Sequence, residues 1–338
     1  MSRPRTALVA AGLAVSLLAS GCSALEKTLE GGSVAGDFPS RNVEIMVPAA
    51  PGGGWDLTAR QFQHVVQEKK LLPSGRSVSV VNVTGAGGAV GISKLVTKNR
   101  KDPHTLMITG LVMVGALTLN QSEITVSDTT PIATITAEQE VLVVKADSPL
   151  KSLKDLVEMY KADPSRVSWG GGTIGGTDHI TAGTLVKAAG ADPSKVKYIS
   201  YSGGGEATAA ILSGDVTVGI SGLSEFEEQI TAGKMRVLAT SGTEPVSLNG
   251  KQLPTMKAEG YNAEVLNWRA IVAPPDIPAA DRQRLIDFVT QVNSSPEWAE
   301  IRKKNGWTDF FKTGDDATKF IADETVRVQG LEKELGII

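Results

Sequence analysis

Four glycine-rich stretches constrain this chain most: "APGGGWD" (50–56), "TGAGG" (84–88), "GGGTIGGTD" (170–178) and "SGGGE" (202–206). Each follows a short β-favouring run and precedes a helical pattern. Glycine costs roughly 0.5–1 kcal/mol per residue in backbone entropy inside regular structure, so such clusters need a reason. At a strand–helix junction the reason is geometric. The first amides of a helix have no internal acceptor, the helix dipole favours an anion there, and glycine lets a ligand approach the backbone. One such loop also serves plain steric needs. Four of them favour a cleft that binds an anion on backbone amides, and an acidic chain can do this because the amides supply the field locally.

The runs between the loops set the architecture. "NVEIMVP" (42–48), "SVSVVNV" (77–83) and "HTLMITG" (104–110) read as strands separated by helices, a βαβαβ pattern that implies a parallel sheet with helices on both faces. A long β-like stretch follows at 130–150. A second alternating set runs from a helix at 152–162, with Ser152 and Asp155 spaced as a capping box, to the strand "MRVLATS". A second long β-like stretch occupies 263–275, and three helical patterns close the chain near 279–293, 296–305 and 315–336. Two α/β sets, each followed by a long β segment, predict two lobes joined by two crossings. The expected division is 37–137 plus 263–338 for lobe one and 138–262 for lobe two. Ligands in such sheets bind beyond the carboxyl ends of strands, here between the lobes, with closure by hinge motion.

A chain of 338 residues suits two domains. Its net charge of −3 and lack of a long basic run exclude nucleic acid as an expected partner. The N-terminus reads as an export signal over 1–21: Arg3 and Arg5, an uncharged apolar run from Ala7 to Ala19, then small residues before Cys22, the only cysteine. That run is too short for a good spanning helix. The ending "LLASGC" resembles a bacterial lipobox, with Ala19 where Leu is usual, and Cys22 is the expected lipid-modified residue. Residues 22–36 then form a tether, and the protein is expected outside the cytoplasm, anchored by lipid to the outer face of the membrane. A plain export signal with an incidental cysteine is the alternative.

Other chemistry is thin. Gly170, Gly172 and Gly175, with Asp192 about twenty residues on, match a dinucleotide fingerprint. The run is so glycine-rich that the match carries little, and an exported protein meets few dinucleotides. His64, His104 and His179 lack metal-ligand spacing, so no metal and no cofactor is expected. His179, at a helix start near the cleft, is a capping or packing residue before it is a ligand contact. Asp56 and Asp178 each follow glycines at a helix start, where an N-cap is the leading role. Trp55 is unusual in a tight loop; it either roofs a pocket or packs against a neighbouring element.

Assembled in order, these landmarks resemble the solute receptors of tripartite tricarboxylate transporters, the Bug-type receptors, over about Phe38 to the C-terminus. "FPSRNVEIMVPAAPGGGWDLTAR", "VVNVTGAGGAVG", "WGGGTIGGTDHI", "ISYSGGGEATAAILSGDVTVGI" and "NWRAIVAPPDIP" carry the resemblance. It implies a periplasmic-binding-protein-like α/β fold, type II-like, with the ligand cleft between two lobes and no enzymatic activity. The receptor would be monomeric, capture a small organic di- or tricarboxylate and pass it to two integral-membrane subunits. By the same resemblance one carboxylate would meet Gly53, Gly54 and Trp55 with Gly87 and Gly88, and Asp56 stands beside them. The other end would meet Thr173, Gly176 and Thr177, with Tyr201 and the loop around Gly204 nearby. About six to ten donors, each worth roughly 1.5–3 kcal/mol when desolvated, make micromolar affinity reachable. Trp55, where the family commonly has Thr or Ser, Val83-Thr84-Gly85 in place of Arg-Pro-Gly, and Ser221 in place of Asp depart from its pattern. Two other functions fit the same scaffold: a sensory receptor reporting to a membrane kinase, and an exported α/β enzyme, for which no nucleophile–base pair is evident.

Overall fold

A computed structural model describes residues 38–201 and 204–338; the expected export signal, Cys22 and the tether lie outside the described residues, as do Ser202 and Gly203. The first βαβαβ unit is β1 (Val43–Val47), α1 (Gly54–Glu68), β2 (Val78–Asn82), α2 (Ala89–Thr97) and β3 (Thr105–Gly110). Its strands lie parallel in the order β2-β1-β3. Then comes α3 (Leu111–Leu119), which periodicity does not announce. Six of its nine residues are buried, on every side, so no polar stripe marks a 3.6-residue period.

The second set comprises β4 (Thr130–Lys145), α4 (Leu153–Ala162), β5 (Ser168–Gly171), α5 (Thr177–Ala188), β6 (Lys197–Ser200), α6 (Gly204–Ser213), β7 (Val218–Gly222), α7 (Leu223–Thr231) and β8 (Met235–Thr240). Ser152 and Asp155 do form the capping box of α4. A hairpin of β9 (Ser247–Leu248) and β10 (Lys251–Gln252) leads to β11 (Leu266–Ala273), α8 (Ala279–Asn293), α9 (Pro296–Lys304), β12 (Lys312–Thr313) and α10 (Gly314–Glu334).

β4 is the spine of the molecule. Eight of its first ten residues pair antiparallel with β11, with two register shifts, and β11 also pairs antiparallel with β3. From Glu140 onward its partners become β7 and β8. β5 joins β6 and β7 in parallel, completing the path β2-β1-β3-β11-β4-β7-β5-β6. All but the two end residues of β4 are buried, because both faces are covered; hence a long apolar run in place of strict alternation. The core divides accordingly. One apolar cluster holds Val47, Phe62, Ile108, Trp268 and Trp298. Beyond Glu140, Leu142 and Val144 face a cluster with Tyr160 and Trp169, whereas Val141 and Val143 face one with Ile211 and Phe226. That is the two-residue period of a strand between two layers. The fold is thus mixed α/β and two-lobed.

Candidate functional site

α1 begins earlier than the sequence suggests. Its N-cap is Gly53 and its first residues are Gly54 and Trp55, so Asp56 is not the cap but sits inside the first turn. The Asp56 carboxylate ties the loop down: it accepts from Gly52 N at 2.9 Å, from Asn82 Nδ2 at 2.9 Å and from Arg60 Nε at 2.8 Å. The Arg60 bond, with those from Gly52 and Asn82, outweighs burial and holds its pKa down to about 2. Gly52 takes φ +90, a left-handed value that suits glycine. Helix geometry leaves the first-turn amides that follow without internal acceptors.

Gly52, Gly53 and Gly54 open onto a cavity of about 640 Å³. Leu57, Gly205 and Thr208 of α6, Ser224, Glu225, Glu228 and Gln229 of α7, and Asn305 and Trp307 after α9 complete its sides. Glu138 of β4 and Arg269 of β11 also line it. Arg269 Nη2 meets Glu138 Oε2 at 2.9 Å, with both side chains 5% exposed. The guanidinium lies against Gly54, where a Cβ would fall 2.7 Å from Nη2, and 5.0 Å over the Trp307 ring. Glu138 Oε1 accepts from Ser224 Oγ at 2.6 Å and from Ser224 N at 3.4 Å, at the start of α7. Three helix starts, those of α1, α6 and α7, therefore converge on this space.

The other expected site residues lie elsewhere. Trp55 is buried in the core, its ring against Gly88 and its Nε1 near Gly110, and does not line the cavity. Gly87 and Gly88 have φ +61 and +103 and pack on Ala116 and Met113 of α3. In the third loop, Gly176 N donates to Thr173 O at 2.9 Å and Gly172 N to Asp178 Oδ2 at 2.6 Å. Asp178, like Asp56, stands one position or more inside its helix, whose N-cap is Gly176. Thr177 is buried with no partner for its hydroxyl among the described residues. His179 accepts from Gly175 N at 3.3 Å and stacks on Tyr198 at 4.2 Å; burial pushes its pKa down to about 4, so it is a neutral packing residue. Tyr201 N donates to Gly171 O, and Gly204 begins α6. Loops one and four thus share the cavity, while loops two and three abut α3, where a Cβ on Gly115 would strike the Gly175 carbonyl oxygen.

Sequence reasoning missed Glu138, Arg269, Ser224, Glu225, Glu228 and Trp307. A signal existed for two of them. Glu138 and Arg269 are charges inside β-like apolar runs, and charges are almost never buried unless paired. Among the described residues no group of three or more His, Cys, Asp or Glu could hold a metal ion, and no helix is long and apolar enough to cross a membrane.

The sequence profile described as "Tripartite tricarboxylate transporter family receptor" matches residues 58–337. The chain belongs to this family. It is 28% identical over 311 residues to Protein BugT of Bordetella pertussis, covering 89% of this chain and 91% of BugT. It is also 28% identical over 305 residues to a protein of Pseudomonas sp. strain P51 known from the tcbD-tcbE intergenic region, covering 87% and 86% of the two chains. Among solved structures, the periplasmic binding protein BugD superposes with a TM-score of 0.71 at 24% identity, over 89% of this chain and 99% of that one. A Rhodopseudomonas palustris protein with adipate gives 0.72 at 22% identity, over 89% and 99%. MatC from the same organism, with bound malate, gives 0.69 at 20% identity, over 87% and 99%. This member is accordingly a receptor rather than an enzyme.

Proposed function

We propose that this receptor captures a small organic acid in the 640 Å³ cavity and delivers it to the membrane subunits of a tripartite tricarboxylate-type transporter. The observation that carries the reading is the α1 start, where Gly53 and Gly54 present first-turn amides to the cavity above the Arg269 guanidinium. A carboxylate there gains charge-assisted hydrogen bonds and the helix dipole together. The lobes are 37–137 plus 263–338 and 138–262, and they close about the two crossing strands, β4 and β11. Malate and adipate bound to two fold relatives support the ligand class. The protein is held at the outer face of the membrane through lipid on Cys22. Calorimetric titration of the purified protein with mono-, di- and tricarboxylates tests the reading, with micromolar binding of at least one expected. No binding across the series would overturn it. Mass spectrometry of the N-terminal peptide tests the anchor: a diacylglyceryl mass on Cys22 is expected, and an unmodified cysteine contradicts it.

A further inference from the structure

The last turn of α10 carries lobe one onto lobe two. A Cβ on Gly183 of α5 would fall 2.7 Å from Leu335 Cδ2, and Lys187 Nζ of α5 meets Glu334 Oε1 at 2.7 Å. Beside this contact, α3 of lobe one meets the third glycine loop of lobe two backbone to backbone, Gly115 against the Gly175 carbonyl. Glycine at 115, 175 and 183 lets the two surfaces close on each other without a side chain between them. None of these residues lines the 640 Å³ cavity, so the seam is a separate contact between the lobes.

Glu332 stands within this seam. It is fully buried, and neither carboxyl oxygen meets a donor among the described residues. Its Oε1 lies 2.8 Å from the place of a Cβ on Gly175 and 3.3 Å from that of one on Gly115. A carboxyl in such a place is far more costly charged than neutral. The surrounding groups offer it no counter-charge. Neither α3 nor the 172–176 loop carries a titratable side chain. On α5, Asp178 accepts from Gly172 N, His179 Nδ1 accepts from Gly175 N, and Lys187 pairs with Glu334. On α10, Arg327 pairs with Glu324 and Lys333 is exposed. Asp128 accepts from Thr125 N in the turn before β4, and Lys195 pairs with Asp192 beside Gly336. Burial therefore raises the Glu332 pKa to about 8. If the seam parts, water reaches the carboxyl and its pKa returns toward the ordinary 4.5.

We propose that this seam is a proton-dependent latch: shutting the lobes buries Glu332 in its neutral form, so capturing an acid by closure takes up a proton. This rests on the lobe closure proposed above and adds that capture depends on pH. The shut form keeps its proton up to about pH 8, the parted form only up to about 4.5. The advantage of the shut form is thus full below about pH 4.5, shrinks as pH rises and is lost above about 8. Glu140 and Asp178 also have raised pKa values, so the Glu332→Gln variant, which retains both, isolates the Glu332 contribution.

The test compares purified wild type with Glu332→Gln, whose amide stands in for the neutral carboxyl at every pH. Calorimetric titration with succinate, malate and adipate at pH 7, in buffers of different ionisation enthalpy, counts protons. Wild type should take up about one proton per acid bound, and its affinity should weaken by up to about tenfold per pH unit between pH 6 and 8. The variant should show neither effect and should bind the same acid about tenfold or more tighter at pH 8, because it starts shut. Uptake below about half a proton in wild type, or one pH slope for both proteins, overturns the latch and leaves the carboxylate reading intact. X-ray scattering of the ligand-free proteins tests the latch without a ligand. The variant should be the more compact at pH 7, and wild type should contract toward it as pH falls. If no acid binds, the carboxylate reading fails, and scattering alone decides the latch: equal radii of gyration from pH 6 to 8 overturn it.

Discussion

Replacing Arg269 by Met tests whether the Glu138–Arg269 pair holds the two crossing strands together. The pair joins β4 to β11 at 2.9 Å with both side chains 5% exposed, and Arg269 also reaches Thr58 Oγ1 at 3.3 Å. Arg269→Met keeps the apolar stem but leaves Glu138 buried with only Ser224 to donate to it, beside Glu140. Removing one partner of a buried pair costs about 3–5 kcal/mol, because the other charge stays desolvated. At about 2–4 °C per kcal/mol for larger domains, the melting temperature should fall on the order of 10 °C. The double variant Glu138→Gln, Arg269→Met carries no orphaned charge and should recover most of the loss, a coupling of about 2–4 kcal/mol between the sites. Urea unfolding of wild type, both single variants and the double variant gives the four free energies. An Arg269→Met loss under about 1 kcal/mol, or strictly additive single and double effects, would refute the reasoning.

Three further outcomes follow from the packing. Trp55→Ala should cost about 3–5 kcal/mol in urea unfolding, because the ring is core against Gly88 and Gly110; an intact stability with altered ligand affinity would instead put the ring in the site. Gly115→Ala drives a methyl into the Gly175 carbonyl, a backbone group that cannot swing aside, so it should lower stability by about 1–3 kcal/mol, and an unchanged melting curve would contradict the contact. Glu332 is buried, with no donor for its carboxyl among the described residues, and burial raises its pKa to about 8 from 4.5. The folded chain therefore keeps a proton that the unfolded chain releases, and stability should fall as pH rises from about 4.5 to about 8. Glu332→Gln should flatten that slope and be the more stable protein at pH 8, by about 1–3 kcal/mol; an equal slope in both proteins would exclude Glu332 as its source.

Local chemistry made much of the fold legible. Val43–Val47 and Val78–Asn82 alternate with helices as strand and helix periods require, and Ser152 with Asp155 announces the start of α4. The two long β runs of β4 and β11 revealed two crossings because strands covered on both faces read as continuous apolar sequence. α3 escaped for the converse reason: buried on every side, it has no stripe to detect. Without α3 in view, the sequence could not show what the glycines of the second and third loops also do, which is to accommodate α3 at Ala116 and Gly115. Asp56 is not the N-cap because α1 starts at Gly54, and the same start turns the Trp55 indole inward, the packing role of the two that the sequence left open. Glu138 and Arg269 stand 131 residues apart, and only the pairing of β4 with β11 brings them together. Each charge inside an apolar run was a visible anomaly; its partner was not.

The most direct test of a carboxylate seated on the α1 start follows backbone amide resonances of the isotope-labelled protein while the tightest-binding acid from the titrations is added. The account predicts that the Gly53 and Gly54 amide protons move downfield and saturate with the calorimetric affinity, as donors to an anion do. Saturable shifts confined to the 172–177 loop, with Gly53 and Gly54 unmoved, would contradict it.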